Sequence, residues 1–219
     1  MASDVRVVHL MRHGQVHNPD GVLYGRLDGF GLSDLGQEMA RRMAEFFATT
    51  ELTHLRCSPL QRAAETMAPT AARFPQLEVV TDQRLIEAAN VFEGRVFADH
   101  NRAVRDPRML RHLWNPLRPS WGEPYRDIAA RMRAVLADAA AAAGPGGQAL
   151  AVGHQLPIWI ARCDAEGRPF PHDPRRRETT LASVTSFTLR DGHVTAVDYR
   201  EPVADLLPPR SGRRFRVGT

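Results

Sequence analysis

The sequence predicts an α/β fold in which a mainly parallel sheet carries helices on both of its faces. Short apolar runs alternate with amphipathic segments of helical period along most of the 219 residues. Such alternation is typical of parallel strands joined by crossover helices. With 43% hydrophobic and 25% charged residues, the composition is that of an ordinary globular domain. A chain of this length can bury roughly 70% of the surface that it exposes when unfolded.

The first half of the chain predicts three strands and two helices. The apolar run Val5–Leu10 is typical of a buried strand, and a loop rich in Gly, Asn, Pro and Asp follows it. Ser33 is expected to cap a helix, because serine is a preferred N-cap residue. The apolar stripe of that helix consists of Leu35, Met39, Met43 and Phe46 or Phe47. Strands are predicted at Leu52–Cys57 and Leu77–Val80, and Pro59 is expected to open the helix between them.

The second half predicts a long helix, a fourth strand and a short helix. Helical period extends over Glu123–Ala143, and the glycines and proline of residues 144–147 stop it. The inward residues of this helix are expected to be Ile128, Met132, Val135, Leu136 and Ala139. Gln148–Val152 is a predicted strand that leads through Gly153 and His154 into a helix at Pro157–Ala161.

A hairpin and a tail close the chain. Leu181–Leu189 and His193–Tyr199 predict two antiparallel strands, because the Asp191-Gly192 pair between them is a strong signal for a tight turn. We expect one domain over residues 1–219, with a cap-like insertion at about 95–122, where the periodicity is poor. The Pro, Arg and Gly content of the end predicts a loose tail at about 202–219.

Several classes of protein do not fit this composition. No stretch approaches the ~20 consecutive apolar residues of a membrane span, and residues 1–12 lack the order of a secretory signal. The two cysteines, Cys57 and Cys163, are too few for a disulfide framework or a cysteine zinc site. We therefore expect a cytoplasmic protein that does not bind membranes.

Charge favours a small anionic partner over nucleic acid. The chain has no lysine, so its 29 basic residues are all arginine, and the net charge is only +4. Nucleic-acid binders usually carry a denser basic stripe, whereas these arginines are scattered along the chain. Scattered guanidiniums suit a small phosphorylated substrate better. The sequence indicates no oligomeric state.

Chemically versatile side chains follow the predicted strands. Arg12 and His13 follow the first strand, Arg62 lies one turn into the helix after the second, Glu87 follows the third and His154 follows the fourth. In open parallel sheets, ligands bind beyond the carboxyl ends of the strands. We therefore expect these five side chains to project into one site.

Such a set suits phosphoryl transfer through a phosphohistidine. A neutral imidazole is a competent nucleophile near pH 7, and His13 would need a carbonyl acceptor to hold one tautomer. Arg12 and Arg62 match the phosphoryl oxygens, and His154, expected to be protonated, would be a third donor. Glu87 can protonate the leaving alkoxide and later activate water. Neither a metal nor a cofactor is required.

A metal site is the alternative reading of His9, His13 and His17. Their spacing of four would align them on a helix, but the first of them lies in a predicted strand and Gly14 breaks a helix. Three ligands on one face are therefore not expected. Cys57, at a strand end, is interpreted as structural.

The sequence resembles the histidine phosphatase superfamily, which includes the cofactor-dependent phosphoglycerate mutases. The segments that carry the resemblance are, in order, Leu10-Met11-Arg12-His13-Gly14-Gln15, Leu32-Ser33 with Gly36, Ser58-Pro59-Leu60-Gln61-Arg62-Ala63 with Thr66, Leu85-Ile86-Glu87, Glu93-Gly94, Gly122-Glu123, Arg131 and Val152-Gly153-His154. The resemblance implies a three-layer α/β/α sandwich. It also implies that His13 is phosphorylated, that Arg12, Arg62 and His154 hold phosphate, and that Glu87 is the proton donor.

The chain departs from the family pattern around the expected substrate pocket. Val16 stands where the family usually has a hydroxyl residue, Asn18 falls one residue early, Pro124 replaces the usual serine, and Gln155 replaces a small residue. These changes leave the residues for phosphoryl transfer intact. They do not allow the substrate to be inferred from the family. The candidate substrate-binding residues are Gln15, Asn18, Tyr24 and Gln155.

Three functions remain open at this stage. The first is a metal-independent phosphomonoesterase that hydrolyses a small phosphorylated metabolite. The second is a mutase, in which the phosphohistidine is shielded from water; the short connection from Glu87 to His154 favours hydrolysis. The third, a phosphate-binding protein without catalysis, is disfavoured because every catalytic position is filled.

Overall fold

A six-stranded sheet of order β3-β2-β4-β1-β5-β6 organises the molecule. A computed structural model describes residues 5–96 and 122–207, so nearly all of the predicted cap at 95–122 lies outside the described residues. The strands are β1 (Val5–Arg12), β2 (Leu52–Cys57), β3 (Val79–Thr81), β4 (Gln148–Gly153), β5 (Val184–Arg190) and β6 (His193–Arg200). Strands β1, β2, β3 and β4 pair with one another in parallel, whereas β5 pairs antiparallel with both β1 and β6. The predicted mainly parallel sheet is confirmed.

Helices cover both faces of the sheet. They are α1 (Asp34–Phe46), α2 (Gln61–Arg73), α3 (Tyr125–Ala143) and α4 (Gln155–Ala165). Alternate residues of β4 enter different cores: Ala149 and Ala151 pack with α3 and α4, whereas Leu150 and Val152 pack with α1 and α2. Because side chains alternate across a strand, this central strand is apolar on both faces. The result is the expected three-layer α/β/α sandwich.

Most element predictions are confirmed, but three helix starts are shifted by two residues. The helix expected from Glu123 begins at Tyr125, and the helix expected from Pro157 begins at Gln155. The expected helix at Pro59 begins two residues later, at Gln61. The chain first continues the extended path of β2: the Ser58 amide still bonds the Val152 carbonyl of β4 at 2.9 Å, and Leu60, the N-cap residue, is extended. The strand expected at Leu77–Val80 is likewise shifted, to Val79–Thr81.

The hairpin forms about its predicted turn. Asp191 and Gly192 both have positive φ, at 52° and 78°, as a two-residue type I′ turn requires. The loose tail expected from residue 202 is wrong for residues 202–207: Val203 is only 2% exposed and packs in the core beneath α1 and α2. Apolar contacts of Val203 with the core hold this segment in place, and the composition of the tail does not predict them. Residues 208–219 lie outside the described part.

The loop after β1 rests directly on the first turn of α1. A Cβ atom on Gly36 would lie 2.0 Å from the Gln15 carbonyl oxygen, and one on Gly14 would lie 2.7 Å from the Gly36 oxygen. Ser33, confirmed as the N-cap of α1, accepts the Gly36 amide and donates to the Gln15 side chain at 2.8 Å. Two positions without a side chain thus allow the two backbone segments to lie in contact.

Within the described residues, no helix is both long and apolar enough to cross a bilayer.

Replacing Gly36 with alanine should destabilise the protein despite the higher helix propensity of alanine. The propensity gain is about 1 kcal/mol, but the added methyl group meets a backbone oxygen that cannot turn away, and such overpacking costs about 1–3 kcal/mol or more. We expect a lower melting temperature by calorimetry, with Gln37→Ala, an exposed position of the same helix, as the control. A Gly36→Ala variant as stable as the control would contradict this close packing.

Candidate active site

Three adjacent strands bring four of the five predicted residues to one edge of the sheet. Arg12 ends β1 and His13 follows it, with its amide bonded to Gly153 of β4 at 3.1 Å. His154 caps α4 directly after β4, and Arg62 lies in the first turn of α2 beyond β2. The His13 and His154 rings are 5.2 Å apart. All four side chains are buried, with 3% exposure or less.

His13 is held in one tautomer by its own loop. Its Nδ1 lies 2.8 Å from the Gly14 carbonyl oxygen, and a carbonyl can only accept, so Nδ1 carries the proton and Nε2 the lone pair. Burial lowers the pKa of His13 well below its usual 6.5, and the positive charges of Arg62 and Arg12 lower it further. The Gly14 amide in turn donates to Thr66 Oγ1 at 3.0 Å. The ring is therefore a neutral, oriented imidazole.

His154 is also neutral, contrary to the sequence expectation that it is protonated. Arg62 Nη2 donates to His154 Nδ1 at 3.3 Å, which leaves the proton on Nε2, and Nε2 lies 2.7 Å from Ser58 Oγ. Burial lowers the pKa of His154 well below 6.5, and the neighbouring His13, Arg62 and Arg12 act in the same direction. A third cation beside two buried guanidiniums is electrostatically unfavourable.

The two guanidiniums are anchored but keep unused donors. Arg12 Nη1 donates to the Thr179 carbonyl at 2.8 Å. Arg62 Nη2 donates to the Gly25 carbonyl at 2.6 Å, and its guanidinium lies 4.7 Å from the centre of the Tyr24 ring. The Nε groups of both arginines are buried without a hydrogen-bond partner in the described part of the chain. An unsatisfied buried donor costs about 1–3 kcal/mol, so the pocket fits an oxygen-rich anion.

Glu87 completes the cluster electrostatically. Its half-buried carboxylate accepts the Ala88 amide at 2.8 Å. Burial lowers the pKa of Arg12 and of Arg62, whereas the charge of Glu87 raises both. The charge of Glu87 therefore acts on both guanidiniums, and its role as proton donor stays a prediction.

The four candidate substrate-binding residues divide into two pairs. Tyr24 lies beside the pocket, 6.5 Å from the His13 ring centre, and Gln155 begins α4 beside His154. Gln15 instead accepts from Ser33, and the Asn18 amide bonds both the N–H and the carbonyl of Val22. The Gln15 and Asn18 side chains thus brace the loop. Substrate contact by any of the four stays a prediction.

Arg177 is a third cation near the site that sequence reasoning missed. Its Nη1 donates to Gln155 Oε1 at 3.3 Å and its Nε donates to His172 Nε2 at 2.7 Å. Burial lowers its pKa, and Glu87 is the largest opposing charge. In sequence it belongs to a run of three arginines. The Asp173-Pro174 turn signal, which predicts where the chain reverses, is the only local clue that it differs from its two exposed neighbours.

The remaining candidates have structural roles. His9 bonds Ser186 and Gln148 at 2.8 and 2.9 Å, so its ring is occupied within the sheet. Among the described residues, no group of three His, Cys, Asp or Glu side chains could hold a metal ion. Cys57 is buried next to the site, and burial raises its pKa to about 12, which makes it a poor nucleophile.

Comparisons with known proteins identify one family. The model of the histidine phosphatase superfamily (branch 1) matches residues 8–202. The chain is 50% identical over 197 residues to the uncharacterized protein Rv0525 of Mycobacterium tuberculosis, covering 90% of this chain and 96% of the relative.

Solved structures of two other proteins superpose on this chain. The mycobacterial glucosyl-3-phosphoglycerate phosphatase Rv2419c superposes with a TM-score of 0.69 at 26% identity, over 90% of this chain and 96% of that one. A phosphoglycerate mutase from Bacillus anthracis shares the fold, with a TM-score of 0.69 at 22% identity over 89% and 92% of the two chains.

The fold and the pocket define an enzyme of the phosphatase class. The chain belongs to the histidine phosphatase superfamily, branch 1, as the family match over most of its length shows.

Nuclear magnetic resonance should show both pocket imidazoles neutral at pH 6.5, since burial and the arginines lower both pKa values. Long-range ¹⁵N–¹H spectra should give the Nδ1-H tautomer for His13 and the Nε2-H tautomer for His154. A His13 signal that titrates near the ordinary imidazole pKa of about 6.5 would contradict this electrostatic picture.

Proposed function

We propose that this protein is a metal-independent phosphomonoesterase that acts on a small phosphate ester through a phosphohistidine on His13. The observation that carries the proposal is the juxtaposition of a fixed imidazole lone pair with two buried guanidiniums whose Nε donors are unused. A phosphoryl group would satisfy those donors and meet the nucleophile at once. The vanadate-bound structure of the related mycobacterial phosphatase supports the proposal, because vanadate resembles transferring phosphate.

The first half-reaction moves the phosphoryl group from substrate to enzyme. His13 Nε2 attacks phosphorus, the P–N bond forms and the ester P–O bond breaks. Glu87, protonated at this stage, gives its proton to the departing alkoxide. The Nδ1 proton stays on the ring, where the Gly14 carbonyl stabilises the positive charge that the imidazole acquires. Arg12 and Arg62 stabilise the charge on the phosphoryl oxygens.

The second half-reaction returns the enzyme to its starting state. Glu87, now a carboxylate, takes a proton from water, whose oxygen attacks phosphorus. The P–N bond breaks, inorganic phosphate leaves, and His13 is again a neutral imidazole. In this scheme the arginines supply the electrostatic stabilisation that a metal ion provides in other phosphatases.

Other features fit the proposal. A small phosphate ester is the expected partner, without nucleic acid or membrane, and the substrate remains to be identified by screening. The cytoplasm remains the proposed compartment, since both cysteines are buried and unpaired, as is usual in reducing environments.

Replacing His13 with asparagine should abolish turnover. Loss of a nucleophile typically costs at least about 10³ in kcat, and ³²P-labelled substrate should no longer transfer label to the protein. His17→Gln, an exposed position in the same loop, is the matched control and should label normally. Persistent acid-labile labelling of the His13 variant would show that another residue is the nucleophile.

Hydrolysis should proceed in excess EDTA and release free phosphate. A panel of phosphorylated metabolites that includes 3-phosphoglycerate with a trace of its bisphosphate, assayed for both inorganic phosphate and positional isomers, separates hydrolase from mutase. We expect phosphate and no isomer. Loss of activity in EDTA would contradict the metal-independent mechanism, and isomer without phosphate would favour the mutase.

A further inference from the structure

Glu87 differs from the other predicted site residues in how the fold places it. Arg12 and Arg62 lie within a strand and a helix, and His13 and His154 lie directly at the ends of strands. Glu87 follows a single 3₁₀ turn, Gln83–Leu85, in an irregular segment beyond β3. No strand ladder fixes its backbone, so other interactions must hold a group whose placement the chemistry requires.

One carboxylate organises those interactions. Glu123 Oε2 bonds Arg26 Nη2 at 2.9 Å, while Glu123 Oε1 bonds Arg131 Nε at 2.8 Å and Oε2 bonds Arg131 Nη2 at 3.1 Å. Its side chain is only 17% exposed. A bidentate, mostly buried pair of this kind has a defined geometry, unlike an isolated surface ion pair.

Both arginines use their remaining donors on the segment that carries Glu87. Arg26 Nε donates to the Glu87 carbonyl at 2.7 Å, and Arg131 Nη1 donates to the Arg84 carbonyl. The Glu123 amide itself donates to the Ala89 carbonyl at 3.1 Å. Hydrogen bonds therefore hold the backbone before, at and after Glu87. The donor of each of these three bonds is Glu123 or an arginine that Glu123 binds.

The same cluster reaches the phosphate pocket. Arg26 directly follows Gly25, whose carbonyl accepts Arg62 Nη2 at 2.6 Å, and Tyr24 lies against the Arg62 guanidinium. Glu123 is thus linked through Arg26 both to the proposed acid and to the loop that anchors a phosphate-binding arginine. A change at Glu123 should displace Glu87 more than the other site residues, because Glu87 does not lie in a helix or strand.

We propose that Glu123 is a positioning residue for the proton transfer by Glu87. The proposal rests on the proposed function, because it assumes that Glu87 protonates the leaving group. It assigns no contact between Glu123 and substrate. Its particular consequence is that weakening the cluster should impair the protonation step more than phosphate binding or nucleophilic attack.

Two substrates with different leaving groups separate a loss of protonation from a loss of phosphate binding or nucleophilic attack. An alkoxide needs a proton as its bond to phosphorus breaks, whereas 2,4-dinitrophenolate leaves readily without one. For Glu123→Gln, kcat/KM for an alkyl phosphate such as glycerol 2-phosphate should fall about 10- to 100-fold. For 2,4-dinitrophenyl phosphate it should change by less than about threefold. A purely structural role would lower both values by the same factor.

Two reference variants complete the experiment. Glu87→Gln should show the same selectivity with a larger loss; if it loses both substrates equally, the assignment of Glu87 in the proposed function is wrong. Glu166→Gln, which disrupts a comparable carboxylate bound to Arg162 and Arg168, should leave both substrates unaffected.

The inference fails separately if Glu87→Gln is selective but Glu123→Gln affects both substrates equally or neither. Glu123→Asp, which keeps the charge but cannot span both arginines, should give the same selectivity with a smaller loss. If neither Glu123 variant folds at 25 °C, as judged by circular dichroism, the carboxylate is required for the fold and the positioning role is overturned.

Discussion

The site depends on the burial of two guanidiniums beside two imidazoles at the carboxyl edge of the sheet. Like charges repel strongly in a medium of low dielectric, so such a cluster exists only if its members are anchored or neutral. Arg12 and Arg62 are anchored by backbone carbonyls, and His13 and His154 are neutral. The same constraint places an imidazole Nε2 lone pair next to guanidinium Nε groups that have no hydrogen-bond partner among the described residues.

Much of the fold could be predicted from the sequence because its central strand, β4, is buried on both faces. The apolar run of β4 indicates a strand that separates two cores, and the Asp191-Gly192 pair indicates its own turn. The errors have local physical causes. Ser58 still bonds the sheet where Pro59 predicts a helix, and Val203 is held by distant core residues that composition does not reveal.

The candidate site could be predicted as far as a topological rule extends. Strand ends locate His13, Arg12, Arg62 and His154, because parallel strands end at one edge. The rule does not predict which hydrogen-bond partner a side chain has. It therefore missed Arg177 and the neutral state of His154, since both depend on hydrogen bonds between residues far apart in sequence. Substrate contact by Gln15 and Asn18 stays a prediction, since the structure shows only that their side chains bond their own loop.

The two margins of the sheet also influence how copies of this protein can meet. β3 has only three residues, and β6 presents the exposed, mutually paired Asp198 and Arg200 along a ladder that is irregular near Leu189. Short, charged and irregular outer strands discourage strand addition by another chain. Both edges of the sheet therefore disfavour the intermolecular strand pairing that leads to aggregation.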